Sequence, residues 1–192
     1  VCLHRGCIPS KALLHASQIL HDAEQAEAIG ITFTRPSVNL DRLRAWKEEV
    51  VSRMTGGLGS LARQRGITYV QGHARFRDSG HLEIERQAGG KEIIPFERCI
   101  LATGSMPAVL PGGLSGHPGI WDSSDALNLP SIPKTLLVVG GGYIGLELGT
   151  VYAALGTRVT VVEMMPALLP GTDTDLVQFF SRQAQSLFAD II

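Results

Sequence analysis

Between residues 11 and 29, apolar side chains return every three or four positions. Leu13, Leu14, Ile19 and Leu20 form one stripe, with Ile8-Pro9-Ser10 before it and Gly30 after it. That spacing predicts an amphipathic helix with a glycine stop. A second stripe, Leu40, Leu43, Trp46, Val50, Met54 and Leu58, predicts a helix reaching about Arg65. It must run through Gly56, Gly57 and Gly59, residues that weaken helices. Residues 31–34 read as a short extended piece. The period then changes to two. Residues 68–76 predict a strand, and residues 81–85 and 92–96 flank Ala88-Gly89-Gly90, the pattern of a hairpin. Residues 98–104 are an apolar run closing on Gly104. They predict a buried strand that delivers its end to a site.

Residues 105–134 are rich in Pro, Gly and Ser, with a helical turn expected at 123–127. A new unit begins at Thr135. Residues 136–139 and 158–163 read as strands, with a glycine turn and a helix over 143–155 between them. Residues 173–188 form an amphipathic pattern, and Ile191-Ile192 reads as the start of another strand. The predicted class is α/β: two Rossmann-like domains, both incomplete, with a small antiparallel hairpin element. The expected division is 1–114, a connector at 115–134, and 135–192.

Composition adds exclusions. The chain has 192 residues, 44% of them hydrophobic, and a formal net charge of −1. With no dense Lys/Arg tract, neither nucleic acid nor an anionic membrane surface is an expected partner. No apolar run approaches the ~18 residues of a membrane span. Three Cys do not make a secreted disulfide framework.

Gly140-Gly141-Gly142-Tyr143-Ile144-Gly145 satisfies G-x-G-x-x-G. The match is weak alone, but this one follows a strand, opens a helix and precedes a second strand ending in Glu163. Gly140 would make the tight turn, Gly142 would let the backbone approach a pyrophosphate, and Gly145 would let helix and strand pack closely. Glu163, 23 positions after Gly140, stands where a ribose-binding acid is expected. A carboxylate there repels an added phosphate, and 164–167 contain no Arg to receive one. NAD(H) is therefore expected over NADP(H).

Cys2 and Cys7 lie at Cys-x₄-Cys spacing. In a regular helix, Cα atoms five apart are ~8.6 Å from each other, whereas a disulfide needs them within ~7 Å. The two can bridge only if the backbone is distorted, which Gly6 permits and Pro9 favours. A zinc reading needs two further ligands; His4, His15, His21 and Cys99 are available, but none is in a second paired spacing. A structural pair, part of a metal site and a redox couple remain open on spacing alone. A thiolate near a helix N-terminus with Lys11 one turn on would be reactive.

Cys2-Leu3-x-x-Gly6-Cys7-Ile8-Pro9-Ser10-Lys11-Ala12-Leu13-Leu14-His15 resembles the redox-active stretch of the flavoprotein pyridine nucleotide-disulfide oxidoreductases, particularly the branch that oxidises dihydrolipoamide. Ala102-Thr103-Gly104-Ser105, Ile120-Trp121-Asp122-Ser123-Ser124-Asp125-Ala126-Leu127 and Gly140-Gly141-Gly142-Tyr143-Ile144-Gly145-Leu146-Glu147-Leu148-Gly149 follow in that family's order. The resemblance implies FAD, NAD and a Cys2–Cys7 disulfide in one electron path. Cys7 would be the thiolate beside the flavin and Cys2 the interchange thiol. Lys11 would pair with Glu147 near the reactive edge of the ring. Thr103, Gly104, Ser105 and the backbone around Ala74 would contact FAD. Gly140, Gly141, Gly142, Tyr143, Ile144, Gly145, Leu146, Glu147 and Glu163 would hold NAD.

The resemblance further implies a lipoyl-domain substrate in 2-oxo acid dehydrogenase complexes, and a homodimer partner supplying an acid/base His. It implies a cytoplasmic location in bacteria or the mitochondrial matrix in eukaryotes. The family's first dinucleotide-binding glycine loop and its dimerisation domain do not occur in these 192 residues, so an interior fragment, inactive by itself, is expected. Glutathione- or mercury-type reductases and a non-enzymatic FAD/NAD redox sensor are the alternative readings. Lys11, Glu147 and Glu163 argue against the sensor, which has no need of hydride-path residues.

Overall fold

The computed structural model describes residues 1–34, 36–108 and 116–192. The expected domain boundary at 114/115 lies outside the described residues. The chain forms two compact units, one of Val1–Met54 with Met106–Ile192 and the other of Thr55–Ser105.

The first unit opens with a single turn, α1 (Cys2–Arg5), and a 19-residue helix, α2 (Cys7–Gln25). Helix α2 starts four residues before the predicted Lys11, because Pro9 sits in its first turn, where a missing N–H costs no helix bond. It finishes in a 3₁₀ turn, Ala26–Ile29, closed by Gly30 at φ +86°. Residues 31–34 form no strand. Helix α3 (Leu40–Gln64) runs through all three glycines, as predicted, and crosses the boundary between units at Met54/Thr55. The helical turn expected at 123–127 is α4 (Ser123–Leu127). It is started by a capping box in which Asp122 accepts from the N–H groups of Ser124 and Asp125 and Asp125 accepts from that of Asp122.

Three parallel strands follow in the order β4-β5-β6: β4 (Thr135–Val139), β5 (Arg158–Val162) and β6 (Asp190–Ile191). Helices α5 (Tyr143–Ala154) and α6 (Thr174–Leu187) connect them. Alternation sets which face is covered. Val159 and Val161 of β5 are buried, and Leu136 and Val138 of β4 pack on the same core, while Leu137 and Val139 are exposed. Leu13 of α2 joins that core beside Leu129 and Tyr152, all three fully buried. This packing carries the thiol-bearing helix onto α5, the helix that follows the glycine turn.

Two side chains close the C-terminal end of α4, where carbonyls lack helical partners. The Tyr152 hydroxyl donates to the Ala126 carbonyl at 2.9 Å, and Lys47 Nζ donates to the Leu127 carbonyl at 2.7 Å. Lys47 is 2% exposed and also pairs with Glu48 at 2.9 Å.

In the second unit β1 (Gly72–Asp78), β2 (His81–Arg86) and β3 (Lys91–Pro95) form an antiparallel sheet in that order. The hairpin predicted around Gly89-Gly90 joins β2 to β3, with both glycines at φ near +90°. The first strand starts at Gly72, not at residue 68. A Cβ at Gly72 would lie 2.5 Å from the Glu85 carbonyl oxygen, so the pairing there requires glycine. The strand predicted at 98–104 is absent: these residues pair with no described strand, and Ile100 and Leu101 are 92% and 69% exposed. An apolar run supplies strand propensity, but a strand exists only where a neighbour takes its backbone groups.

Candidate functional site

Helices α1 and α2 are one helical path interrupted at Gly6. The interruption brings the Cα atoms of Cys2 and Cys7 to 4.7 Å, and the two form a disulfide. This is the distortion that the five-residue spacing demanded. A Cβ on Gly6 would approach the Cys2 Cα to 3.2 Å, so the fold-back favours glycine. Both cysteines are exposed. Cys7 is the first residue of α2, and no side chain caps that end. The unpaired N–H groups and the helix dipole favour a thiolate there.

One turn along α2, Lys11 Nζ lies 2.5 Å from Glu147 Oε1 on α5. The other carboxylate oxygen accepts from Ser10 Oγ at 3.0 Å. Both oxygens of Glu147 are thus held by consecutive residues of the thiol helix. The family resemblance implies the Lys11–Glu147 pair but does not point to Ser10. The available signal was its position, i+3 from Cys7 and next to Lys11.

The glycine turn lies between β4 and α5. Gly140 has φ +108°, a conformation open to glycine, and its N–H donates to the Val162 carbonyl at 2.8 Å. A Cβ on Gly145 would collide with the Gly140 carbonyl oxygen and lie 2.9 Å from Val138 Cγ1, so helix and strand meet at that point. Gly142 differs: a Cβ there meets nothing within 4 Å. It is the N-terminal flanking residue of α5, which has no side-chain cap. An open backbone before an uncapped helix start suits an anionic group.

Glu163 follows β5, and its carboxylate accepts from the Gly141 N–H at 2.6 Å and the Met165 N–H at 2.8 Å. These bonds, Met165's first and Gly141's second, hold it below the usual carboxylate range. It is ionised at neutral pH and stands beside the turn. Leu169 N–H returns to the Gly141 carbonyl at 2.9 Å, and Leu168 packs against Gly141. Sequence reading did not identify this clasp, because it comes from an irregular loop.

Tyr143 and Ile144 are exposed at the helix start. Leu146 is 3% exposed, lies in the core and has its N–H bonded to the Gly142 carbonyl, so it packs the helix and offers no free donor. Ala74 lies on β1 opposite Ile84, and Thr103, Gly104 and Ser105 lie in exposed coil; all four belong to the second unit. Among the described residues no cluster of His, Cys, Asp and Glu could hold a metal, and no helix is long and apolar enough to cross a membrane.

A family model, pyridine nucleotide-disulphide oxidoreductase, matches residues 1–187. The chain is 47% identical to dihydrolipoyl dehydrogenase of Haemophilus influenzae over 188 residues, 98% of this chain and 39% of that protein. It is 44% identical to dihydrolipoyl dehydrogenase of Haloferax volcanii over 192 residues, 99% of this chain and 40% of that one. Among solved structures it resembles the Cu(II) complex of the HOCl-induced flavoprotein disulfide reductase RclA from Escherichia coli. The TM-score is 0.80 at 30% identity, covering 100% of this chain and 40% of that one. The chain thus spans about two fifths of the length of the relatives it matches. With the thiol pair, the Lys11–Glu147 contact and the glycine turn in one unit, and the family model matching nearly end to end, the chain belongs to the pyridine nucleotide-disulphide oxidoreductase family.

Proposed function

We propose that this chain carries the thiol and nucleotide-binding parts of a dihydrolipoyl dehydrogenase. The full-length enzyme would oxidise protein-bound dihydrolipoamide and reduce NAD⁺. The observation that carries the reading is the Cys2–Cys7 disulfide at a helix start, in the same compact unit as Lys11–Glu147 and the glycine turn. The 47% identity to the Haemophilus influenzae enzyme supports it.

In the proposed reaction a dihydrolipoyl thiolate attacks Cys2 Sγ. The Cys2–Cys7 bond breaks, and Cys7 leaves as a thiolate. The second substrate thiolate then closes the lipoyl disulfide and expels Cys2. Two electrons pass to the pair, and the substrate's two protons are released. The uncapped α2 start stabilises the Cys7 thiolate. Lys11 offers an exposed ammonium one turn away, and Glu147 fixes where that charge stands.

Bound FAD would supply the two-electron and hydride chemistry that links the dithiol to NAD⁺. Thr103, Gly104, Ser105 and the Ala74 backbone are proposed FAD contacts. Gly140, Gly141, Gly142, Tyr143, Ile144, Gly145 and Glu163 would hold NAD, with the open backbone at Gly142 against the pyrophosphate. Glu163 keeps unused lone pairs for ribose hydroxyls and repels the phosphate of NADP. Residues 1–114 would be the FAD side and 135–192 the NAD side, joined by 115–134. A lipoyl domain is the proposed substrate carrier, and a second copy of the enzyme would supply the acid/base His.

The test is NADH formation by the full-length FAD-loaded protein. Dihydrolipoamide with NAD⁺ should support turnover, whereas glutathione should not. Reduction of glutathione disulfide by NADPH, with no turnover of dihydrolipoamide, would reject the substrate assignment.

A further inference from the structure

Resting on the function proposed above, we propose that Ser10 is a positioning residue. Its hydroxyl orients Glu147, and through Glu147 it places the charge of Lys11 beside the thiols.

Ser10 is 6% exposed and sits between Cys7 and Lys11 in the first turns of α2. Its Oγ lies 3.0 Å from Glu147 Oε2 and 3.2 Å from the Cys7 carbonyl oxygen. The ordinary role of a helical Ser or Thr is the second contact alone, a bond back to the preceding turn. Ser17 to Leu13 and Thr150 to Leu146 are of that kind. Ser10 differs in having a carboxylate within reach. One hydroxyl carries one proton, and a carboxylate is the stronger acceptor. The Cys7 carbonyl, at a helix start, is already served by the helix ladder. The proton therefore goes to Glu147.

Lys11 has the opposite character. Its side chain is 59% exposed, against 27% for Glu147, and an exposed ion pair to a long side chain does not by itself fix a geometry. Ser10, nearly buried, holds the second carboxylate oxygen and so restrains its rotation. Lys11 then binds an acceptor whose orientation is already set. Two adjacent residues of the thiol helix thereby fix both oxygens of one carboxylate on α5.

The test uses the full-length FAD-loaded enzyme carrying Ser10→Ala and Ser10→Thr. Ser10→Ala should lower kcat about tenfold, the loss of roughly one charge-assisted hydrogen bond, and leave KM for NAD⁺ within about twofold. The thiolate–flavin absorbance of the reduced enzyme should weaken in parallel, and Ser10→Thr should restore both. In flavin-free protein, Ser10→Ala should lower Tm in the wild-type background but have little effect combined with Glu147→Ala, which removes the acceptor.

Should Ser10→Ala fail to fold, Thr against Val at position 10 reads the same hydroxyl at nearly fixed volume; Thr should retain the absorbance and Val should lose it. Wild-type kcat and absorbance in Ser10→Ala, or equal Tm losses in both backgrounds, would overturn the proposal. A Cys7→Ser enzyme that still turned over dihydrolipoamide would instead overturn the functional reading beneath it.

Discussion

Lys11 and Glu147 are 136 positions apart in the chain and 2.5 Å apart in space, so one carboxylate ties the disulfide helix to the helix of the glycine turn. An exposed pair of this kind contributes little stability, under about 1 kcal/mol. Its value lies in placement. Glu147→Gln should therefore change stability by less than about 1 kcal/mol in urea denaturation, while turnover of the full-length enzyme falls about tenfold or more. A loss of stability without a loss of rate would make the pair merely structural.

Gly142 and Gly145 belong to one motif but differ in their surroundings. A Cβ at Gly145 would collide with the Gly140 carbonyl and crowd Val138, while at Gly142 it meets nothing within 4 Å. Gly145→Ala should destabilise by about 1–3 kcal/mol through overpacking. Gly142→Ala should leave Tm nearly unchanged yet weaken NADH binding, because the methyl occupies the space proposed for the pyrophosphate. Calorimetry paired with NADH titration separates the two.

Lys47, 2% exposed, donates to the Leu127 carbonyl at the end of α4. Lys47→Ala leaves that carbonyl without its donor, at a cost of about 1–3 kcal/mol, and opens space in the packing as well. Equilibrium denaturation should show a shifted midpoint. A midpoint unchanged from wild type would mean that the contact contributes nothing.

Burial raises the Tyr152 hydroxyl to about 12, against about 10 in an unfolded chain. The folded state thus favours the protonated form. That contribution is fully present below pH about 10 and is lost as pH rises toward 12. Tyr152→Phe forfeits the bond to the Ala126 carbonyl, about 1 kcal/mol at neutral pH, but has no proton to lose. The stability advantage of wild type over Tyr152→Phe should shrink between pH 10 and 12. A constant difference across that window would contradict the assignment.

Local signals in the sequence are legible where the chain itself satisfies them. The helix stripes, the Gly89-Gly90 hairpin, the strand–turn–helix around Gly140 and the bend required between Cys2 and Cys7 all appear. The apolar run at 98–104 formed no strand, because hydrophobicity names a candidate but not a partner. Ser10, the Met165 and Leu169 clasp and the two caps on α4 were not legible. Each depends on a side chain or loop brought close by packing, and no spacing rule encodes that. Leu146 sat inside a binding motif, yet its side chain serves the core.

In the proposed reaction Cys2 and Cys7 form a redox couple with separate tasks, Cys7 toward the flavin and Cys2 toward the lipoyl sulfur. The most direct measurement is the long-wavelength thiolate–flavin absorbance of the reduced full-length enzyme in Cys2→Ser and Cys7→Ser. The band should persist when Cys2 is replaced and vanish when Cys7 is replaced. A band that survives Cys7→Ser would mean that Cys7 is not the thiolate beside the flavin.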